Sequence, residues 1–258
     1  ISSARFIDKI SRLFMIVAEF ASIMESLFYF DMNIKTLTAL LVLFAVFAVS
    51  ASAQNTFKTD FQVWNDTQII IPLNKKKDVN AVIWVFGRFG NNVSTTTDAR
   101  IGGLITKKVN KYATLGGGYL YRYSNPTFVR SRYESRYLGL ATFTVPLSKD
   151  KKWTLVNRNI YQYEDRYSRP NASVVRNRAW LKREVTVGGK KIEPFVSFET
   201  FYDFRLKAFA RYRTQAGFSR KFYPNLSADI YYVRQDETGN GIRPGTLNGI
   251  GSSFRINL

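Results

Sequence analysis

The chain has 258 residues, 38 Lys and Arg against 19 Asp and Glu, a net charge of +19, and neither cysteine nor histidine. The missing cysteine excludes a disulfide scaffold and a thiolate metal site; the missing histidine removes the commonest general base and transition-metal ligand, and no cofactor is expected. A basic, aromatic-rich composition ordinarily raises nucleic acid as a partner, but the beginning of the chain argues against it.

Met32-Asn33-Ile34-Lys35 is a short basic start, Leu37 to Val49 an apolar run of 13 residues, and Ala51-Ser52-Ala53 a small-x-small site before Gln54. That is the layout of a secretory signal peptide over 32–53, cleaved between Ala53 and Gln54. The run is too short for a membrane helix, which needs about 20 apolar residues. Residues 1–31, which open on Ile1 rather than Met, are read as an upstream extension outside the mature protein. Phe14 to Phe30 is apolar but broken by Glu19 and Glu25, which suits neither a span nor a second export signal. The mature chain is then 54–258, one outer-membrane domain and no partner of nucleic acid.

From Gln54 onward, alternation with period two replaces helical periodicity. Strands are predicted near 57–64, 67–73, 79–89, 98–107, 111–123, 131–146, 153–167, 174–187, 192–205, 207–221, 226–234 and 246–258. In 226–234, Leu226, Ala228, Ile230 and Tyr232 share one face and Ser227, Asp229 and Tyr231 the other. Most segments reach the ~9 to 11 residues of a tilted membrane strand and exceed the ~5 to 6 usual in globular sheets. The fold class expected is all-β: a transmembrane up-and-down antiparallel barrel of about 12 strands (10–12), preceded by a signal-peptide helix.

The connections alternate in chemistry. The turns at 74–78, 107–111, 148–152, 188–191 and 221–225 hold 12 of the 15 lysines after Ala53, whereas 90–97, 125–130, 168–172 and 236–245 are rich in Asn, Ser, Thr, Pro and Gly. Short turns at one end and longer polar loops at the other fit such a barrel. With both termini at the Lys-rich end, Asn65-Asp66 must turn the first two short segments into a hairpin. A single long strand over 57–73 would instead leave eleven strands and a parity problem.

Arginine lies within the strands. Arg132, Glu134 and Arg136 alternate in one; Arg158, Glu164 and Arg166 in the next; Arg176, Arg178 and Glu184 in the third; Glu199, Asp203, Arg211, Arg213 and Asp229 follow on polar faces. Arg at the membrane midplane costs roughly 2 to 4 kcal/mol on the lipid face, so these side chains are expected to form a lumenal charge network. Asn157 and Asn159 break the apolar face of their strand, and Arg183 points outward, so a bulge is one expectation there. Trp64, Trp84, Trp153 and many tyrosines are candidates for interfacial girdles, with ordinary packing as the alternative. The last strand ends Phe254-Arg255-Ile256-Asn257-Leu258, and Phe254, Ile256 and Leu258 form the alternating pattern expected of a barrel-assembly signal.

Trp64, the Gly-Gly-Gly-Tyr-Leu-Tyr-Arg-Tyr run at 116–123, Arg132-Tyr133-Glu134-Ser135-Arg136, the hairpin from Arg158 to Glu184 and Phe198-Glu199-Thr200-Phe201-Tyr202 resemble the uncharacterised outer-membrane family catalogued as domain of unknown function 2490. The resemblance spans nearly all of 57–258 and implies a bacterial outer-membrane barrel without an established activity.

Three functions follow. A small channel or binding barrel would use its basic lumen to favour small anionic solutes. A plugged barrel with a structural or lipid-interaction role would have its interior filled by Arg, Tyr and Phe, and its Lys turns on anionic headgroups. An outer-membrane hydrolase would rely on carboxylates such as Glu199 and Asp203, a use that surrounding arginines make less economical to invoke. The expected partners are outer-membrane lipids, periplasmic chaperones and the barrel-assembly machinery.

Overall fold

The computed structural model describes residues 58–125, 132–167, 169–187, 189–238 and 245–258. The expected export signal, with Ala51, Ala53 and Gln54, and residues 1–31 lie outside these, as do residues 126–131 and 239–244 of two loops. No helix occurs among the described residues.

The strands are β1 (Lys58–Pro72), β2 (Val79–Gly90), β3 (Thr95–Lys108), β4 (Ala113–Ser124), β5 (Arg132–Pro146), β6 (Trp153–Arg166), β7 (Ala172–Arg183), β8 (Val185–Val187), β9 (Lys190–Asp203), β10 (Ala208–Tyr223), β11 (Leu226–Glu237) and β12 (Gly245–Asn257). Neighbours pair antiparallel from β1 to β7, β7 pairs with β9, and the order continues to β12. β12 returns to β1 in parallel, from Lys58↔Gly245 to Ile70↔Asn257. The result is a closed barrel of eleven strands, with β8 as an extra strand folded on β9 alone.

The expected hairpin at Asn65-Asp66 is therefore absent. Residues 58–72 run through as one strand, because alternation gives both polar residues a partner without a turn. Asn65 points outward, donating to Ser252 Oγ at 3.0 Å and accepting from Thr67 at 3.1 Å; Asp66 points inward and accepts from Trp84 Nε1 at 2.7 Å. Parallel closure accommodates the odd strand number. The predicted strand 174–187 is also broken, at Glu184, whose amide bonds to the Lys152 carbonyl at 2.8 Å.

The wall is inside-out relative to a soluble domain. Val63, Ile83, Ile101, Ile105, Tyr137, Phe218, Ile230 and Tyr232 are exposed on the outer face, whereas Gln62, Arg88, Glu134, Glu164, Glu199 and Arg213 are buried inside. Outward tyrosines towards the loop end form two groups of ring contacts, Tyr119–Tyr137–Tyr163 and Tyr121–Tyr133–Tyr123, with centroids 5.2 to 6.3 Å apart. Trp64 and Trp84 do not belong to a girdle: both are buried in the lumen, where Trp84 packs with Val82, Leu104, Leu120, Leu138 and Ile160. Trp153 lies at the Lys end beneath Arg183, whose guanidinium is 5.1 Å from its ring.

No bulge moves Asn157 and Asn159 inward, because β5–β6 and β6–β7 keep one register throughout. They stay outward and satisfy each other: Asn159 donates to Asn157 Oδ1 at 2.7 Å, and Asn177 donates to Asn159 Oδ1 at 2.6 Å. Bulges occur elsewhere, at Arg88/Phe89 between β2 and β3 and at Phe209/Arg211 between β9 and β10.

Two Lys turns share a geometry. Leu73 and Leu147 donate across to Val79 and Trp153 at 2.8 Å, Lys77 and Lys151 donate back to Asn74 and Ser148, and both lysines take positive φ, 54° and 56°. Asn74 and Ser148 side chains cap the turns by accepting from Asp78 and Trp153 amides at 3.2 and 3.1 Å.

Candidate functional site

Alternation in eleven strands aims every second side chain into the lumen, and register decides which charges meet. Asp98 of β3 binds Arg100 at 2.6 Å and Arg122 of β4 at 2.8 Å; Arg122 reaches Glu134 of β5 at 3.1 Å. Glu134 binds Arg136 at 2.7 Å, Arg136 reaches Glu164 of β6 at 3.0 Å, and Glu164 also holds Arg166. Arg169 closes on Glu134 from the following loop. This is one continuous ladder of alternating charge across four strands.

A second cluster centres on Glu199 of β9, only 2% exposed. Arg176 binds it at 2.7 Å and Arg213 at 2.8 Å, and Arg178 completes the clasp. Two smaller pairs stand apart, Arg211–Glu237 at 2.6 Å and Arg255–Asp229 at 2.7 Å. Burying these charges is compensated only because each carboxylate has guanidinium partners at hydrogen-bond distance.

Two of the cavities among the described residues lie within the lumen and share no lining residue with each other. The one towards the loops, about 430 Å³, is bordered by Gln62, Arg88, Arg136, Gln162, Arg176 and Arg213 among others. The one towards the Lys turns, about 150 Å³, is bordered by Asp66, Arg158, Arg178, Trp180, Tyr231 and Arg255 among others. Between them, in strand order, fall Trp64, Ile160, Glu199 and Val233, each no more than 2% exposed. Side chains of these four strands thus form a septum between the two cavities, and Glu199 ties it to arginines of both.

Most residues expected in the charge network face the lumen. Arg132 lines the loop-end cavity, and Arg158 lines the other, 4.8 Å over Trp180. Asp203 faces inward at the rim, where it accepts from the amides of Arg205 and Leu206 at 2.8 and 3.2 Å and serves the β9–β10 turn. Glu184 is the exception: the break after β7 places it outside the lumen, paired at 2.8 Å with exposed Lys191. Phe254 and Leu258 are exposed on the outer face, on the same side of β12 as Ile256. The expectation did not name Asp98, Arg100, Arg122, Glu237 or Arg255, although Asp98-x-Arg100 carries the same two-residue alternation as the named charges.

A family model described as a protein of unknown function (DUF2490) matches residues 61–243. The chain belongs to this family. Among solved structures, an anion-selective porin from Comamonas acidovorans is similar at 10% identity and a TM-score of 0.33, over 67% of this chain and 56% of that chain, a little more than half its length. No curated protein matches.

In this DUF2490 barrel four of the buried carboxylates are acceptors already engaged by arginine. Asp98, Glu134, Glu164 and Glu199 each hold at least two guanidinium groups, so their oxygens are committed to ion pairs within the wall. Among the described residues no cluster of Asp or Glu is arranged to hold a metal ion. The chemistry on offer is cationic: ten arginines line the loop-end cavity with four carboxylates.

Proposed function

We propose that this chain is a non-enzymatic outer-membrane barrel whose Arg-rich lumen holds small anionic solutes in its loop-end cavity, above a closed septum. The observation that carries this reading is the charge imbalance of that cavity. Counting Glu134 and Glu199 behind its wall with the four lining carboxylates, ten arginines still exceed six acids. Low-dielectric walls focus such a field and attract anions.

The outer-membrane assignment rests on the apolar outer face, on strands of 12 to 16 residues in the wall, and on the Phe254-x-Ile256-x-Leu258 end as a substrate of the assembly machinery. The expected export signal supports it. Outer-membrane lipids then cover the apolar face, and the Lys turns meet anionic headgroups.

A second reading, a plugged barrel with a structural or lipid-interaction role, draws on the septum itself. The two readings separate when folded protein is recorded in planar bilayers and titrated with small organic anions by calorimetry. The expected result is no unitary conductance but saturable anion binding. Steady ion conductance would overturn the closed septum, and silence in both assays would leave the structural role.

A further inference from the structure

One buried cation has no place in either charge cluster. Arg88 of β2 is 5% exposed, and its Nε is buried without a hydrogen-bond partner. Among the described residues its guanidinium makes no ion pair. It lies 3.6 Å over the Trp64 ring and 4.8 Å from that of Phe86. The charges acting on it most strongly are Arg213, Asp98, Arg100 and Arg211, three of them cations, and Asp98 is already held by Arg100 and Arg122.

Its position is built rather than accidental. The ladder pairs Arg88 with Asp98 but Phe89 with Thr96, so Thr97 is an extra residue, and its hydroxyl donates to the Arg88 carbonyl at 3.3 Å. Bulges re-aim side chains, and the second loop-end bulge flanks Arg211. Arg213 lies 4.9 Å from the same indole. Three guanidinium groups from β2 and β10 therefore border one end of the loop-end cavity, and one has no acceptor among the described residues. A buried unpaired cation is strongly unfavourable unless negative charge is supplied to it.

We infer that Arg88, flanked by Arg211 and Arg213, is the head-group site for an organic oxyanion, its carboxylate or phosphate taken by the guanidinium fork and its apolar body lying on Phe201, Val174, Ala210 and Leu247. All of these residues line the same cavity, whose volume of about 430 Å³ falls in the range of small-molecule sites. A planar fork suits an anion with two adjacent oxygens. This assignment rests on the reading of the lumen as an anion-binding cavity.

Calorimetry on the folded wild-type barrel and the variants Arg88→Gln and Arg88→Lys tests it, with phenyl phosphate, benzoate, benzamide and inorganic phosphate as probes. Phenyl phosphate or benzoate is expected to bind and neutral benzamide not to bind; whichever of the two anions binds tighter identifies the head group. Arg88→Gln should weaken binding at least about tenfold, and Arg88→Lys should retain part of it. The thermal midpoint of Arg88→Gln should stay level or rise, because an unpaired buried charge has been removed. Equal binding by Arg88→Gln, or a lower midpoint, would overturn the site while the wider reading stands. Inorganic phosphate binding as tightly as phenyl phosphate would remove the role of the apolar wall. A wild-type barrel that binds none of the probes would overturn the anion-binding reading itself.

Discussion

Glu199 holds three arginines from β7 and β10, so removing its charge leaves three cations facing one another in a closed interior. Glu199→Gln is expected to lower barrel stability by about 3–5 kcal/mol, read from urea unfolding in detergent; a loss under about 1 kcal/mol would mean that the clasp is dispensable. Lys151, at φ 56°, predicts the opposite sign. Lys151→Gly should stabilise by roughly 0.5–1 kcal/mol, since glycine takes the left-handed conformation without the Cβ clash. The charged partners were legible as a class, because Arg176, Arg178, Glu199 and Arg213 sit at the parity of a polar face. Their pairing was not, since register sets it across the sheet. Arg88 carries no such signal, because it is a lone charge in the apolar run Val79–Gly90.

Two of the Lys turns are small capped units, and each carries a carboxylate whose ionised form the turn favours. The Asn74 side chain hydrogen-bonds to Asp78, and Ser148 with the Lys152 amide bonds to Asp150, holding both carboxyls below the ordinary 3.8. The depressed carboxyls contribute fully above the unfolded value and lose that contribution as pH falls through the lower folded values. The turns should therefore be insensitive to pH near neutrality, and carboxyl NMR shifts of Asp78 and Asp150 should titrate below 3.8; a midpoint above it would contradict the caps. At this scale the sequence was readable to within a few residues for most strands, because alternation and lysine-loaded turns are independent signals. It misled where polarity imitated a turn, at Asn65-Asp66, and where parity continued past a backbone break, at Glu184.

Closure by a parallel seam is the property of the whole barrel that alternation does not encode. It is directly testable because the chain has no cysteine. Asn65 and Ser252 are register partners with side chains 3.0 Å apart, and adjacent strands lie about 4.8 Å apart, within disulfide range. The double variant Asn65→Cys, Ser252→Cys should form an intramolecular disulfide on oxidation of the folded barrel, seen as a mobility change without boiling. Failure to crosslink would point to a different closure. The folded protein should also show heat-modifiable gel mobility in membrane fractions.

Because β1 and β12 run side by side in the same direction, the first residue of one and the last of the other lie at opposite rims. In an even-stranded barrel a short turn joins those two points, and the chain can be reopened at any loop. Here the join would have to run the length of the wall, roughly 40 Å for the 13 residues of β12 at about 3.3 Å each. Circular permutation with a short linker is geometrically closed to this barrel, so its strand order has a fixed beginning. The free flank of β1 waits for the last strand to arrive, which makes the seam the contact of highest sequence separation in the fold.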